Sequence, residues 1–120
     1  GLQRAEILDD NIGYLRITTF YDTDIAGEAY RSAFGFLATS AALIIDLRGN
    51  GGGEPASVDA IRRYVLGRDD YVHFRFVDRA GNDHSAEWYG DFELLDLPVR
   101  YGDAKPVFIL IDGESYSASE

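Results

Sequence analysis

Leu43-Ile44-Ile45-Asp46-Leu47-Arg48-Gly49-Asn50-Gly51-Gly52-Gly53 is the stretch that decides how this chain folds. Together with Ala41 and Ala42 its first half is an apolar run broken only by Asp46, too short for a helix. It reads as a strand buried on both faces. The run stops at Arg48, and four glycines within the next five residues let the backbone turn sharply without a Cβ in the way. Pro55 then stands where the first turn of a helix tolerates it, and Val58, Ile61 and Val65 form an apolar stripe at helical spacing. The unit is strand, glycine bend, helix.

Upstream, Leu2 to Leu8 is a short strand closed by Asp9-Asp10-Asn11, residues that favour turns by bonding their own backbone. Ile12 to Phe20 alternates, with Leu15 and Ile17 pointing one way and Tyr14 and Arg16 the other, which predicts a hairpin with one buried face. Asp22, Thr23 and Asp24 cap a predicted helix whose apolar positions are Ala26, Ala29, Tyr30, Ala33, Phe34 and Leu37. Downstream, Tyr71 to Val77 alternates, Arg79 to Asp83 reads as a turn, and His84 to Tyr89 returns as the second arm of an inserted hairpin. Pro106 to Ile111 is a second apolar run and predicts another central strand. Strands interleaved with helices predict an α/β domain with a mixed central sheet.

Composition narrows the function. The 120 residues are 46% hydrophobic, enough for one packed core. Eleven Lys and Arg against 21 Asp and Glu give a net charge of −10, which opposes binding to nucleic acid or anionic lipid. There is no Cys, so thiolate chemistry and disulfides are excluded, and two His alone make a weak metal cage. No apolar run approaches the ~20 residues of a membrane helix, and no signal-peptide profile opens the chain.

Two bends can carry chemistry, both at the C-terminal ends of buried strands, where open α/β sheets present ligands. Glycines ahead of a helix let amide N–H groups converge on a phosphate or an oxyanion, although a structural turn would look the same. Neither G-x-G-x-x-G nor G-x-x-x-x-G-K-[ST] is matched, which disfavours a nucleotide cofactor. The second bend, Asp112-Gly113-Glu114-Ser115-Tyr116-Ser117-Ala118-Ser119-Glu120, can expose a serine Oγ beside the first amides of a following helix. The alternative is a serine-rich helix cap.

Taken together, the segments resemble the C-terminal processing, or tail-specific, serine peptidases. The resemblance rests on D-L-R-x-N-x-G-G, met by Asp46, Leu47, Arg48, Asn50, Gly52 and Gly53, and on the S-A-S-E end at Ser117 to Glu120. The inserted hairpin looks closer to the branch that includes interphotoreceptor retinoid-binding protein than to the processing proteases with a PDZ domain. The resemblance implies a ClpP/crotonase-like β-β-α core acting on peptide or protein substrates without a cofactor or metal, in a periplasmic or extracellular setting. It places the nucleophile at Ser117 and an oxyanion hole at the amide of Gly52 or Gly53 together with that of Ala118. Asp46 and Arg48 read as a pair that fixes the loop, and Asn50 as bonding the loop backbone.

The general base departs from the pattern. The processing proteases use a Lys downstream of the nucleophile, whereas Lys105, the only lysine, precedes it. The tricorn-like branch uses an upstream His, but His73 and His84 fall in the inserted hairpin, where a surface role is expected. Residues 1–120 therefore read as a partial catalytic core, inactive by itself, whose apolar run at Val107 to Ile111 would promote self-association or pairing with a further part. The competing reading is a non-catalytic module that binds hydrophobic small ligands such as a retinoid or fatty acid, served by the eight Tyr and seven Phe.

Overall fold

The computed structural model describes residues 1–66, 75–85, 101 and 105–120. Four strands, β1 (Leu2–Leu8), β2 (Ile12–Ile17), β3 (Ala42–Asp46) and β4 (Val107–Leu110), form one sheet in the order β1-β2-β3-β4. β1 and β2 are antiparallel, and their turn at Asp9–Asn11 places Asp10 and Asn11 at φ 62° and 58°, a region short polar side chains tolerate. β2 pairs with β3, and β3 with β4, in parallel. A parallel pair needs a long crossover, and α1 (Thr23–Leu37) and α2 (Pro55–Leu66) lie in the two connections. The predicted mixed α/β sheet is present.

The period-two pattern of β2 sets the layers. Gly13, Leu15 and Ile17 are buried, while Ile12, Tyr14 and Arg16 are half-buried on the other face. The inner residues meet Tyr30, Phe34 and Leu37 of α1 and Ile61, Tyr64 and Val65 of α2 in one core, with the Phe34 and Tyr64 rings 4.3 Å apart. Asp22 caps α1 by accepting from the Asp24 N–H at 2.9 Å. Lys105 Nζ donates to Ala38 O at the other end, where a cation is favoured. None of the described helices is long and apolar enough to cross a membrane.

Four expectations change. Ala29 is exposed and Gly27 is buried in its place, because Ala26, Tyr30, Ala33 and Leu37 centre the α1 stripe away from Ala29. The strand expected to run to Phe20 ends at Ile17, and Phe20 instead makes one parallel bridge to Gly53. β3 buries Leu43 and Ile45 on its inner face, where both helices sit, and on its outer face only Asp46, leaving Ala42 and Ile44 partly exposed. β4 is not central but an edge strand among the described residues, with Phe108, Ile109 and Ile111 each more than half exposed. An apolar run shows that burial suits it without showing what covers it. The inserted hairpin is described only between 75 and 85, where Val77 bridges Asp83 antiparallel across the turn; residues 71–74, His73 among them, and 86–89 lie outside the described residues.

Candidate active site

β3 and β4 are parallel neighbours, so the chain leaves both at the same end of the sheet and the glycine and serine bends come together there. Gly52 packs against the serine bend so closely that a Cβ on it would stand 2.8 Å from Ser117 Cβ and 3.0 Å from Ala118 N. Gly53 is pressed against the other neighbour: a Cβ there would lie 2.2 Å from Phe20 O. Their φ values, 94° and 139°, are open to glycine alone at little cost.

Asn50 is the hub of the glycine bend. It is fully buried, its Nδ2 donates to Ile17 O at 2.9 Å, and its Oδ1 accepts from Gly52 N at 2.8 Å. Its backbone carbonyl accepts from Tyr116 N and from Ser119 Oγ. One side chain and one carbonyl thus join the end of β2, the glycine bend and the serine bend. The Gly52 N–H is therefore spent on Asn50, whereas the N–H groups of Gly53 and Ala118 have no acceptor among the described residues.

The three serines of the second bend differ in what holds their hydroxyls. Ser115 Oγ donates to Leu47 O at 2.7 Å, and Ser119 Oγ lies 2.9 Å from Asn50 O and Tyr116 O. Ser117 is exposed, and its Oγ has no hydrogen-bond partner among the described residues. It also holds φ at 60°, a left-handed conformation that costs a non-glycine residue roughly 1–2 kcal/mol. Strained turns of this sort recur where a nucleophile is held out from its scaffold.

Asp46, fully buried at the end of β3, accepts from Arg48 Nε at 2.9 Å, Arg48 Nη2 at 2.7 Å and Tyr14 Oη at 2.6 Å, with Arg16 Nη1 at 3.0 Å. The Arg48 hydrogen bonds hold its carboxyl well below the usual range. Burial and then the Asp46 carboxylate push the Tyr14 phenol upward. A carboxylate this stabilised in its charged form is a poor proton acceptor.

Neither candidate base reaches the bends. Lys105 is bonded to Ala38 O and stands 4.9 Å over the Tyr101 ring, and half-exposed His84 pairs with Asp78 at 3.0 Å. Among the described residues no group of three or more metal-binding side chains occurs. Beside the bends an apolar cleft of about 270 Å³ runs between α2 and the sheet, lined by Phe20, Ile45, Ile61, Ile109 and Ala118 among others. Sequence reading missed Asp112, whose single oxygen accepts from Gly49 N and Glu114 N. The only signal was an acid opening the serine bend.

Solved structures carry the same fold. A lipoprotein from Streptococcus agalactiae matches with a TM-score of 0.65 at 18% identity, over 97% of this chain and 42% of its own. The photosystem II D1 C-terminal processing protease matches with a TM-score of 0.59 at 26% identity, over 90% of this chain and 25% of its own. The chain thus spans well under half the length of either. The sequence profile of peptidase family S41 matches residues 11–120, nearly the whole chain with both bends inside it, and the chain belongs to that family.

Proposed function

We propose that the chain is the nucleophile-bearing core of a serine peptidase of the C-terminal processing type. Ser117 is the nucleophile and the N–H groups of Gly53 and Ala118 form the oxyanion hole. The observation that carries this reading is the contrast among the three serines: two hydroxyls are tied to backbone carbonyls, and the third stands exposed on a strained turn.

Gly53 is favoured over Gly52 because the Gly52 N–H is already donated to Asn50. Its direction follows from the bridge with Phe20. Phe20 N donates to Gly52 O and Glu54 N donates to Phe20 O, so those two groups face Phe20. In this reading the Gly53 N–H between them points the other way, toward the serine bend that packs against the neighbouring Gly52. An acyl oxygen seated between two such amides would gain stabilisation as it becomes an oxyanion, and each donor is worth about 3 kcal/mol of barrier. Asp46, Arg48 and Asn50 take supporting roles, holding the bend rather than moving protons. A serine needs a positioned base, and in this reading the base comes from outside residues 105–120.

Labelling of the full-length protein with a fluorophosphonate probe, followed by peptide mapping, tests this. The adduct is expected on Ser117 and is lost in Ser117→Ala; an adduct on Ser115 or Ser119 would reject the assignment. The apolar cleft supports a second reading, in which the fold binds a hydrophobic small ligand without cleaving anything. Saturable fatty-acid or retinol binding that survives Ser117→Ala, with no probe adduct on the wild type, would favour it.

A further inference from the structure

The two bends must keep their mutual position to within a fraction of an ångström for two amides to address one oxygen. Four links cross between them: Ser115 Oγ to Leu47 O, Tyr116 N to Asn50 O, Ser119 Oγ to Asn50 O, and Gly49 N to Asp112 Oδ1. The first three hold the buried side of the joint. The fourth holds its exposed rim and is the one with a charged acceptor, which makes it the stronger kind of hydrogen bond.

We propose that Asp112 is a positioning residue for the candidate site, with its Oδ1 clasping the glycine bend at Gly49 and the serine bend at Glu114, so that Gly53 is kept in line with Ser117 and Ala118. Gly49 N is 2.9 Å from that oxygen and Glu114 N is 3.0 Å from it. Ser115 Oγ stands 3.3 Å from the same atom, and its proton is already given to Leu47 O. Gly49 is the residue where the chain first turns out of the strand direction, at φ 71°. Asn50 N closes that turn by donating to Leu47 O at 3.0 Å, which leaves the Gly49 amide free to point at Asp112. The Gly49 amide, followed by the Glu114 amide and the Arg48 charge, stabilises the Asp112 carboxylate, so the clasp is made by the ionised form. Asp112 itself is exposed, so its replacement leaves the core intact.

The catalytic consequence rests on the peptidase reading, but the joint can be judged without it. Amide spectra of the 15N-labelled full-length protein are compared for the wild type, Asp112→Ala and Asp112→Asn. Asparagine keeps an Oδ1 acceptor for both amides; alanine keeps none. Asp112→Ala is expected to move the resonances of Gly53 and Ala118 as well as those of Gly49 and Glu114. Asp112→Asn is expected to leave Gly53 and Ala118 where the wild type has them. Confinement of the alanine effect to Gly49 and Glu114 would overturn the proposal, as would equal displacement of Gly53 and Ala118 in both variants. In the full-length protein, fluorophosphonate labelling of Ser117 should slow about tenfold in Asp112→Ala and stay within about twofold in Asp112→Asn. Wild-type labelling with an unchanged rate in Asp112→Ala defeats the clasp alone. Absence of label on wild-type Ser117 defeats the peptidase reading, and the amide spectra still decide the clasp.

Discussion

The glycine bend and the serine bend leave neighbouring parallel strands at one end of the sheet, yet they are built in opposite ways. The glycine bend takes its left-handed turns at Gly49, Gly52 and Gly53, where they cost little, and buries Asn50 with both ends of its amide bonded. The serine bend takes its left-handed turn at Ser117, where it is strained, and leaves that side chain exposed. Flanking serines anchor it on either side. Rigidity is concentrated in one bend so that strain and exposure can be sustained in the other.

The sharpest way to break this contrast is to remove the glycine bend's freedom. Gly53→Ala sets a Cβ against Phe20 O in a backbone region closed to alanine, and should cost about 3–5 kcal/mol in urea denaturation. A cost under about 1 kcal/mol would mean that the bend can relax and is not the rigid partner. Next comes Asn50→Ala, which strands the buried Ile17 carbonyl and the Gly52 amide and should cost roughly 2–4 kcal/mol. It should also free the Gly52 N–H for faster hydrogen exchange, and unchanged protection there would count against Asn50 as the hub.

A smaller effect is expected from Arg48→Ala. Its guanidinium is half exposed and screened, so the loss near neutral pH should be well below that of Asn50→Ala. The more telling change is in acid. Asp46 has a depressed folded-state pKa, so its contribution is complete above the ordinary carboxylate value near ~4 and is lost as pH falls through the lower folded value. Without Arg48 that folded value rises, and the acid limb of the stability curve should move to higher pH. An acid limb identical to the wild type would show that Tyr14, Arg16 and the backbone amide at position 48 suffice to hold Asp46. Smallest of all, Ser117→Gly removes the strain and should raise stability by up to about 1 kcal/mol in the same denaturation experiment. Destabilisation by Ser117→Gly would show that its side chain supports the bend.

Much of this was legible in the residues. Alternation in Ile12 to Ile17, the Asp22 cap and the strand–glycine–helix order around Leu43 to Gly53 each encode one local element, and each is found. Juxtaposition was harder to read. The apolar run at Val107 to Leu110 states a preference for burial but not the neighbour that supplies it, so its place at the edge of the described sheet was not foreseen. The distinction among Ser115, Ser117 and Ser119 was carried by a family motif and not by their chemistry, which is identical. Only the carbonyls of Leu47, Tyr116 and Asn50 separate them, and two of those three lie far away in sequence. Gly52 and Gly53 were likewise interchangeable until Asn50 Oδ1 was seen to take the amide of the first.

Whether Ser117 faces two convergent amides can be read from a crystal structure of the full-length protein phosphonylated by a peptidyl phosphonate. Phosphorus is expected on Ser117 Oγ, with a phosphoryl oxygen about 2.7–3.1 Å from both Gly53 N and Ala118 N. An adduct on another serine, or a phosphoryl oxygen turned away from both amides, would contradict this arrangement.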